Sequence, residues 1–222
     1  MEELLNQFDI KPNNIHLYEQ AFMHTSYCYE NDISESYERL EFLGDAILDL
    51  AVSDYLYNNK NYEEGEMTRI RASYVCEDAV SVYADDLGFS KYIKVGHGEE
   101  LSGGKHKKAI LADVFEAFVA AIYTDLGYEK AREFVLKVAV PYIENDSVKL
   151  FKDFKSLLQE AVQTSKKSLD YVLVDEFGPA HNKTFKIDVK IDDIVYGTGV
   201  GASKKQAEQK AAEEALRKLA NN

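Results

Sequence analysis

Cysteine is scarce. Cys28 and Cys76 are the only two in 222 residues, and their spacing suits neither a metal site nor a redox pair. That excludes a disulfide framework and fits reduced thiols in a cytosolic protein. No apolar run approaches the ~18 residues of a membrane span. The first residues, "MEELLNQFDI", are acidic and lack a signal-peptide core. Tandem repeats and low-complexity tracts are also missing. The expectation is a cytoplasmic protein with no membrane partner. Histidine offers little either: the five, at 16, 24, 97, 106 and 181, show no zinc-ligand spacing. No Glu has His three residues later, as a helical di-iron site would require.

Positive charge is in short supply too. Lys and Arg number 26 against 39 Asp and Glu, a net charge of −13, which at first argues against nucleic acid. The deficit is uneven. Residues 1–150 hold 14 basic against 28 acidic side chains, whereas 151–222 hold 12 against 11. Local patches must therefore decide the partner.

The chain is long enough for one sizeable domain and a small one. Amphipathic helical segments fall near 2–9, 16–24, 37–59, 67–87 (broken), 109–125 and 129–143, punctuated by glycines. "NDSVKL" (145–150), after Pro141, reads as a linker. The period then changes. "DFKSLLQEAVQ" (153–163) is helical and "YVLVDEF" (171–177) is β-rich. "FKIDVKID" (185–192) alternates strictly, with Phe185, Ile187, Val189 and Ile191 inward. "IVYGTGV" (194–200) is a third strand, and 203–220 a long helix opened by Ser203 and Gln206 at capping-box spacing. The fold class predicted is an all-α domain followed by a small α+β domain of order α-β-β-β-α, with both helices on one face of an antiparallel sheet. The boundaries are 1–146, a linker at 147–151, and 152–222.

"YERLEFLGDAILDL" (37–50) carries Glu38, Glu41 and Asp45 at i, i+3 and i+7, on one helical face within about 60°. Leu43, Ile47 and Leu50 should anchor that helix. Like charges at this spacing destabilise it. "AILADVFEAFVAAIY" (109–123) is nearly all apolar yet holds Asp113 and Glu116 at i, i+3. Buried unpaired carboxylates cost several kcal/mol each and would protonate. A divalent cation resolves this, and hard oxygen ligands select Mg²⁺, with Mn²⁺ substituting. Such a site, with one ion or a pair, can serve in-line attack on a phosphodiester. Asp49 also projects near the acidic face and is read as solvated. His24 beside Ser26 in "HTSY" suggests a nucleophile, but no third residue orients the histidine. A helix cap or turn accounts for the motif.

"ERLEFLGDAIL" (38–48) closely resembles the signature of bacterial ribonuclease III. The resemblance continues through "AFMHTSY" (21–27), "EEGEMTRIRASYV" (63–75), "GEELSGG" (98–104) and "ILADVFEAFVAAIY" (110–123), and spans essentially the whole chain. It implies that Glu41, Asp45, Asp113 and Glu116 are the metal-binding set, with Asp45 and Glu116 catalytic, and that Glu38 and Glu64 are auxiliary acids near the cut. It also implies a homodimer through the helical domain, since two strands are most simply cut by two sites related by a two-fold axis.

The C-terminal part resembles a double-stranded-RNA-binding domain in three places: the first-helix face of Ser156, Gln159, Glu160 and Gln163, the loop "GPAHNK" (178–183) with His181, and the helix led by Lys204 and Lys205. By that resemblance, helix and loop reach successive minor grooves while the lysines hold phosphates between them. A helix N-terminus with lysines favours phosphate in any case. One departure is Glu208, where many such domains carry another Lys, and it is expected to weaken binding. In the helical domain "GGKHKK" (103–108) is the dense basic cluster, a loop in which Lys107 and Lys108 are expected to meet the RNA backbone. "GTGVGA" (197–202) imitates a dinucleotide-binding turn, but no parallel strand follows, so no nucleotide cofactor is expected. The activity implied is hydrolysis of both strands of duplex RNA, leaving 5′-phosphate and 3′-hydroxyl ends with short 3′ overhangs, in processing of rRNA, mRNA and other structured RNA. The alternatives are a non-catalytic duplex-RNA-binding dimer and a helical-bundle enzyme acting on a diphosphate through Mg²⁺.

Overall fold

The structure is a computed structural model that describes residues 1–145, 154–164, 167–179 and 183–220. The chain divides into two compact units, Met1–Phe151 and Lys152–Asn222. The linker expected at 147–151 lies outside the described residues.

The first unit is helical: α1 (Glu2–Gln7), α2 (Ile15–Gln20), α3 (Thr25–Glu30), α4 (Glu38–Asn59), α5 (Glu64–Val75), α6 (Glu77–Asp86), α7 (His97–Leu101), α8 (Lys108–Leu126) and α9 (Tyr128–Glu144). A lone bridge joins Met23 to Lys94. The expected break within 67–87 falls at Cys76, whose extended backbone ends α5 and opens α6. The "HTSY" segment is helix α3, and His24 is its cap. The His24 ring accepts a hydrogen bond from the Ser26 N–H at 3.1 Å. Pro141 sits inside α9 near its end, where the lost N–H removes a single bond.

α8 is the central helix. Its run from Ile110 to Ile122 is buried almost throughout, and Phe115 and Phe118 pack with Phe22, Phe89 and Phe134 at centroid distances of 5.3–6.1 Å. A helix apolar on all sides requires neighbours on all sides, and α4, α6 and α9 provide them. α4 is different. It buries Leu40, Gly44, Ile47, Leu48, Ala51, Val52 and Leu56, while Phe42 is 83% and Leu50 54% exposed. Leu50 therefore does not anchor the helix: with Phe42 and exposed Ala46 it forms an i, i+4, i+8 stripe turned away from the unit's core.

The second unit runs α10 (Phe154–Thr164), β1 (Leu169–Phe177), β2 (Thr184–Ile191), β3 (Ile194–Gly201) and α11 (Lys204–Ala220). The sheet is antiparallel in the order β1-β2-β3. Asp192 and Asp193 both take positive φ (47° and 64°) in the two-residue β2–β3 hairpin, the backbone of a type I′ turn. Ile187, Val189 and Ile191 alternate inward as expected, while Phe185 is only partly covered. Leu158 and Val162 of α10 and Ala211, Ala212 and Ala215 of α11 share one core with Val189 and Ile191. The glycines of "GTGVGA" serve packing. A Cβ on Gly197 would lie 2.1 Å from the Ala211 carbonyl oxygen, and one on Gly199 1.9 Å from that of Ala207. α11 thus rests on the backbone of β3.

Candidate active site and RNA-binding surface

α4 and α8 meet at Gly44. A Cβ there would fall 1.8 Å from the carbonyl oxygen of Glu116, so the two helices touch backbone to backbone. Glu41 and Asp45 flank Gly44 along α4, and Asp113 lies one turn before Glu116 on α8. The crossing therefore gathers two pairs of acids that are distant in sequence. Glu41, Asp113 and Glu116 are half-buried and Asp45 is exposed.

The electrostatics record how closely they are gathered. Burial, then the charges of Asp45, Glu41, Asp113 and Asp49, push the Glu116 carboxyl up to about 8. Burial, then Asp113, Glu38 and Asp45, raises Glu41. Burial also raises Asp113, opposed by a hydrogen bond donated by the Tyr37 hydroxyl to Asp113 Oδ2 at 2.8 Å, with Glu77 adding repulsion. Among the described residues no three His, Cys, Asp or Glu side chains close into a cage around an ion. The carboxylate oxygens of Glu41, Asp45, Asp113 and Glu116 are the hard donors that a divalent cation takes.

Glu38, in the first turn of α4, adds its charge to Glu41 and Asp113. Glu64 lies in the first turn of α5, where the Thr68 hydroxyl donates to it at 3.1 Å. No described contact ties it to the four acids. Asp49 is not simply solvated. It is half-buried, 3.9 Å from Arg71, and its charge bears on Glu116. Its place one turn after Asp45 was the available signal. Tyr37 is the residue that sequence reasoning missed, because its partner is 76 positions away.

The lysines of "GGKHKK" already hold carboxylates: Lys105 meets Glu100 at 2.8 Å, Lys107 meets Glu99 at 2.6 Å and Lys108 meets Asp78 at 2.6 Å. In the second unit, α10 exposes Ser156, Gln159, Glu160 and Gln163 while burying Leu158 and Val162. Lys204 and Lys205 are exposed at the start of α11, where Ser203 Oγ accepts from the Gln206 N–H at 3.2 Å. His181 lies outside the described residues. Glu208 accepts from Lys155 Nζ at 2.6 Å, and that ammonium sits 4.7 Å over the Tyr171 ring.

Two family models match these two units: "Ribonuclease-III-like" over residues 14–143 and "Double-stranded RNA binding motif" over 154–219. The chain belongs to the ribonuclease III family. The Ribonuclease 3 of Shouchella clausii is 46% identical over 219 residues, covering 97% of this chain and 84% of that protein. That of Listeria monocytogenes is 45% identical over 222 residues, covering 98% and 97%. A solved structure of the ribonuclease III nuclease domain from Campylobacter jejuni, described as flexible in a region involved in dimer formation, superposes with a TM-score of 0.56 at 34% identity. It covers 65% of this chain and 96% of that one. As a ribonuclease III with both family units, the chain is a double-strand-specific endoribonuclease.

Proposed function

We propose that Glu41, Asp45, Asp113 and Glu116 bind Mg²⁺, or Mn²⁺ in its place, and that this site hydrolyses phosphodiester bonds in both strands of duplex RNA. The products are 5′-phosphate and 3′-hydroxyl ends with short 3′ overhangs. One observation carries the reading: the α4–α8 crossing at Gly44 brings Glu41 and Asp45 to the same place as Asp113 and Glu116, where burial first and then the acidic neighbours push Glu116 up to about 8, as expected of carboxylates gathered for a cation. When bound, the ion lowers the pKa of water and offsets charge on the phosphoryl oxygens. The chain's own groups do the rest. Without a cation, the Glu116 carboxyl would keep its proton near neutral pH, and as a carboxylate it would be one of the ligands holding the ion. Asp45, the exposed member, faces the solvent from which RNA arrives, and Gly44 fixes the spacing of the two helices. Glu38 and Glu64 act as auxiliary acids.

The second unit recognises A-form shape through the exposed face of α10, the His181 loop and the Lys204–Lys205 end of α11. Lys107 and Lys108 reach the backbone by exchanging their carboxylate partners for phosphate. The Phe42–Ala46–Leu50 stripe supports an isologous homodimer, since an exposed apolar stripe calls for a covering surface. The dimer places two active sites on opposite strands. No helix among the described residues is long and apolar enough to cross a membrane, and we assign the protein to the cytoplasm, in rRNA and mRNA processing.

The test compares wild type with Glu116→Gln on long duplex RNA and duplex DNA, with and without Mg²⁺, on denaturing gels. Shortening of RNA alone, dependent on Mg²⁺ and lost in the variant while duplex binding persists, is expected. RNA left intact by wild type with Mg²⁺ sinks the assignment and leaves a duplex-RNA-binding dimer.

A further inference from the structure

A buried tyrosine needs a partner for its hydroxyl. Tyr37 is buried one residue before Glu38. Its N–H donates to the Met23 carbonyl at 3.0 Å, and its hydroxyl donates to Asp113 Oδ2 at 2.8 Å. Behind it lies the His24 ring, with centroids 5.7 Å apart. His24 Nδ1 is 2.7 Å from Ser26 Oγ, which in turn accepts from the Gly96 N–H at 2.8 Å. The "HTSY" segment therefore has a direction: its polar side chains lock one another and back the ring that holds Asp113. One oxygen of a candidate ligating carboxylate is gripped by a neutral donor. That arrangement orients a ligand without competing for the ion.

We propose that Tyr37 is a positioning residue for cation binding: its hydroxyl fixes Asp113 in the orientation in which it joins Glu41 and Glu116, and His24 and Ser26 hold the Tyr37 ring in place. This rests on the reading of the four carboxylates as a divalent-cation site. Nucleophilic chemistry by Ser26 is not part of it, because both the hydroxyl and the imidazole are committed to local structure.

The experiment titrates full-length wild type and Tyr37→Phe with Mn²⁺ alone in a calorimeter, without RNA, and follows thermal melting beside it. Tyr37→Phe is expected to bind Mn²⁺ about ten-fold more weakly. Its cleavage rate at saturating Mn²⁺ is expected to recover to within about two-fold of wild type. Unchanged affinity in the variant, or a rate that stays depressed at saturation, overturns the inference and leaves the cation site standing. Failure of wild type to bind Mn²⁺ removes the cation site and the inference with it. A measurement that needs no tyrosine variant to fold uses ring-¹³C-tyrosine. The Tyr37 Cζ resonance is expected to move when Mg²⁺ is added to wild type, and to be displaced beforehand in Asp113→Asn. A resonance indifferent to both overturns the inference.

Discussion

Glu116→Gln is expected to stabilise the metal-free protein while destroying its activity. The folded state holds the Glu116 proton up to about 8, against an ordinary value of 4.5. A raised carboxyl favours the folded state fully below pH 4.5. That contribution fades as pH rises and is gone above about 8. The interval, at about 1.4 kcal/mol per pH unit, amounts to about 5 kcal/mol if fully expressed. Solvent access to the half-buried cluster reduces it to on the order of 2 kcal/mol. Glutamine has the same shape and no charge, so it escapes the repulsion from Asp45, Glu41, Asp113 and Asp49. Melting in a chelator should show the variant equal to wild type near pH 4.5. At pH 9 it should melt about 4–8 °C higher, the range for 2 kcal/mol in a domain of this size. Millimolar Mg²⁺ should then raise wild type more than the variant and close the gap. A variant that melts at or below wild type at pH 9 without metal would refute the claim that these carboxylates crowd one another.

Gly44→Ala should cost at least about 2 kcal/mol in denaturant titration, because the new methyl meets the Glu116 backbone at 1.8 Å and the clash is relieved only by moving one helix off the other. The gain of about 1 kcal/mol in helix propensity does not offset it, and Mn²⁺ affinity should fall in the same variant. Replacing Lys204 and Lys205 together by Ala should weaken duplex binding and lower the salt dependence by about one unit of log–log slope per lysine. Equal slopes would remove these lysines from the RNA contact. Phe42→Glu should convert a dimer to a monomer in analytical ultracentrifugation, since it places charge in the apolar stripe. Glu208→Lys should fail to tighten RNA binding in filter assays, because it sets an ammonium against Lys155 where a 2.6 Å ion pair now stands. A clear gain in affinity would show that the pair has no part in placing α10 against α11.

The two-part fold, the strand alternation and the acids on α4 and α8 were legible because each is written in local periodicity, whereas the choice of Glu41, Asp45, Asp113 and Glu116 among those acids came from the family signature. Asp113 and Glu116 stand out in α8 precisely where every neighbour is apolar, so their exception could be seen without coordinates. The stripe of Phe42, Ala46 and Leu50 was not legible in the same way. Periodicity tells that a helix has two faces, yet α4 is apolar on both, and only packing decides which one the core takes. The role of Gly44 depends on where α4 crosses α8, a relation between positions 72 residues apart. Tyr37 and the lysines of the 103–108 loop are hidden for a related reason. Their partners are chosen by tertiary contact, and a lysine beside acids reads the same in sequence whether it is paired or free.

The seam between α11 and β3 has a thermodynamic consequence. Gly197 and Gly199 face Ala207 and Ala211, and none of these residues has side-chain rotamers to lose on folding. The seam therefore orders without side-chain entropy loss and leaves almost no soft volume between helix and strand. The height of the Lys204 end above the sheet is thus set by backbone contact rather than by side chains that could adapt.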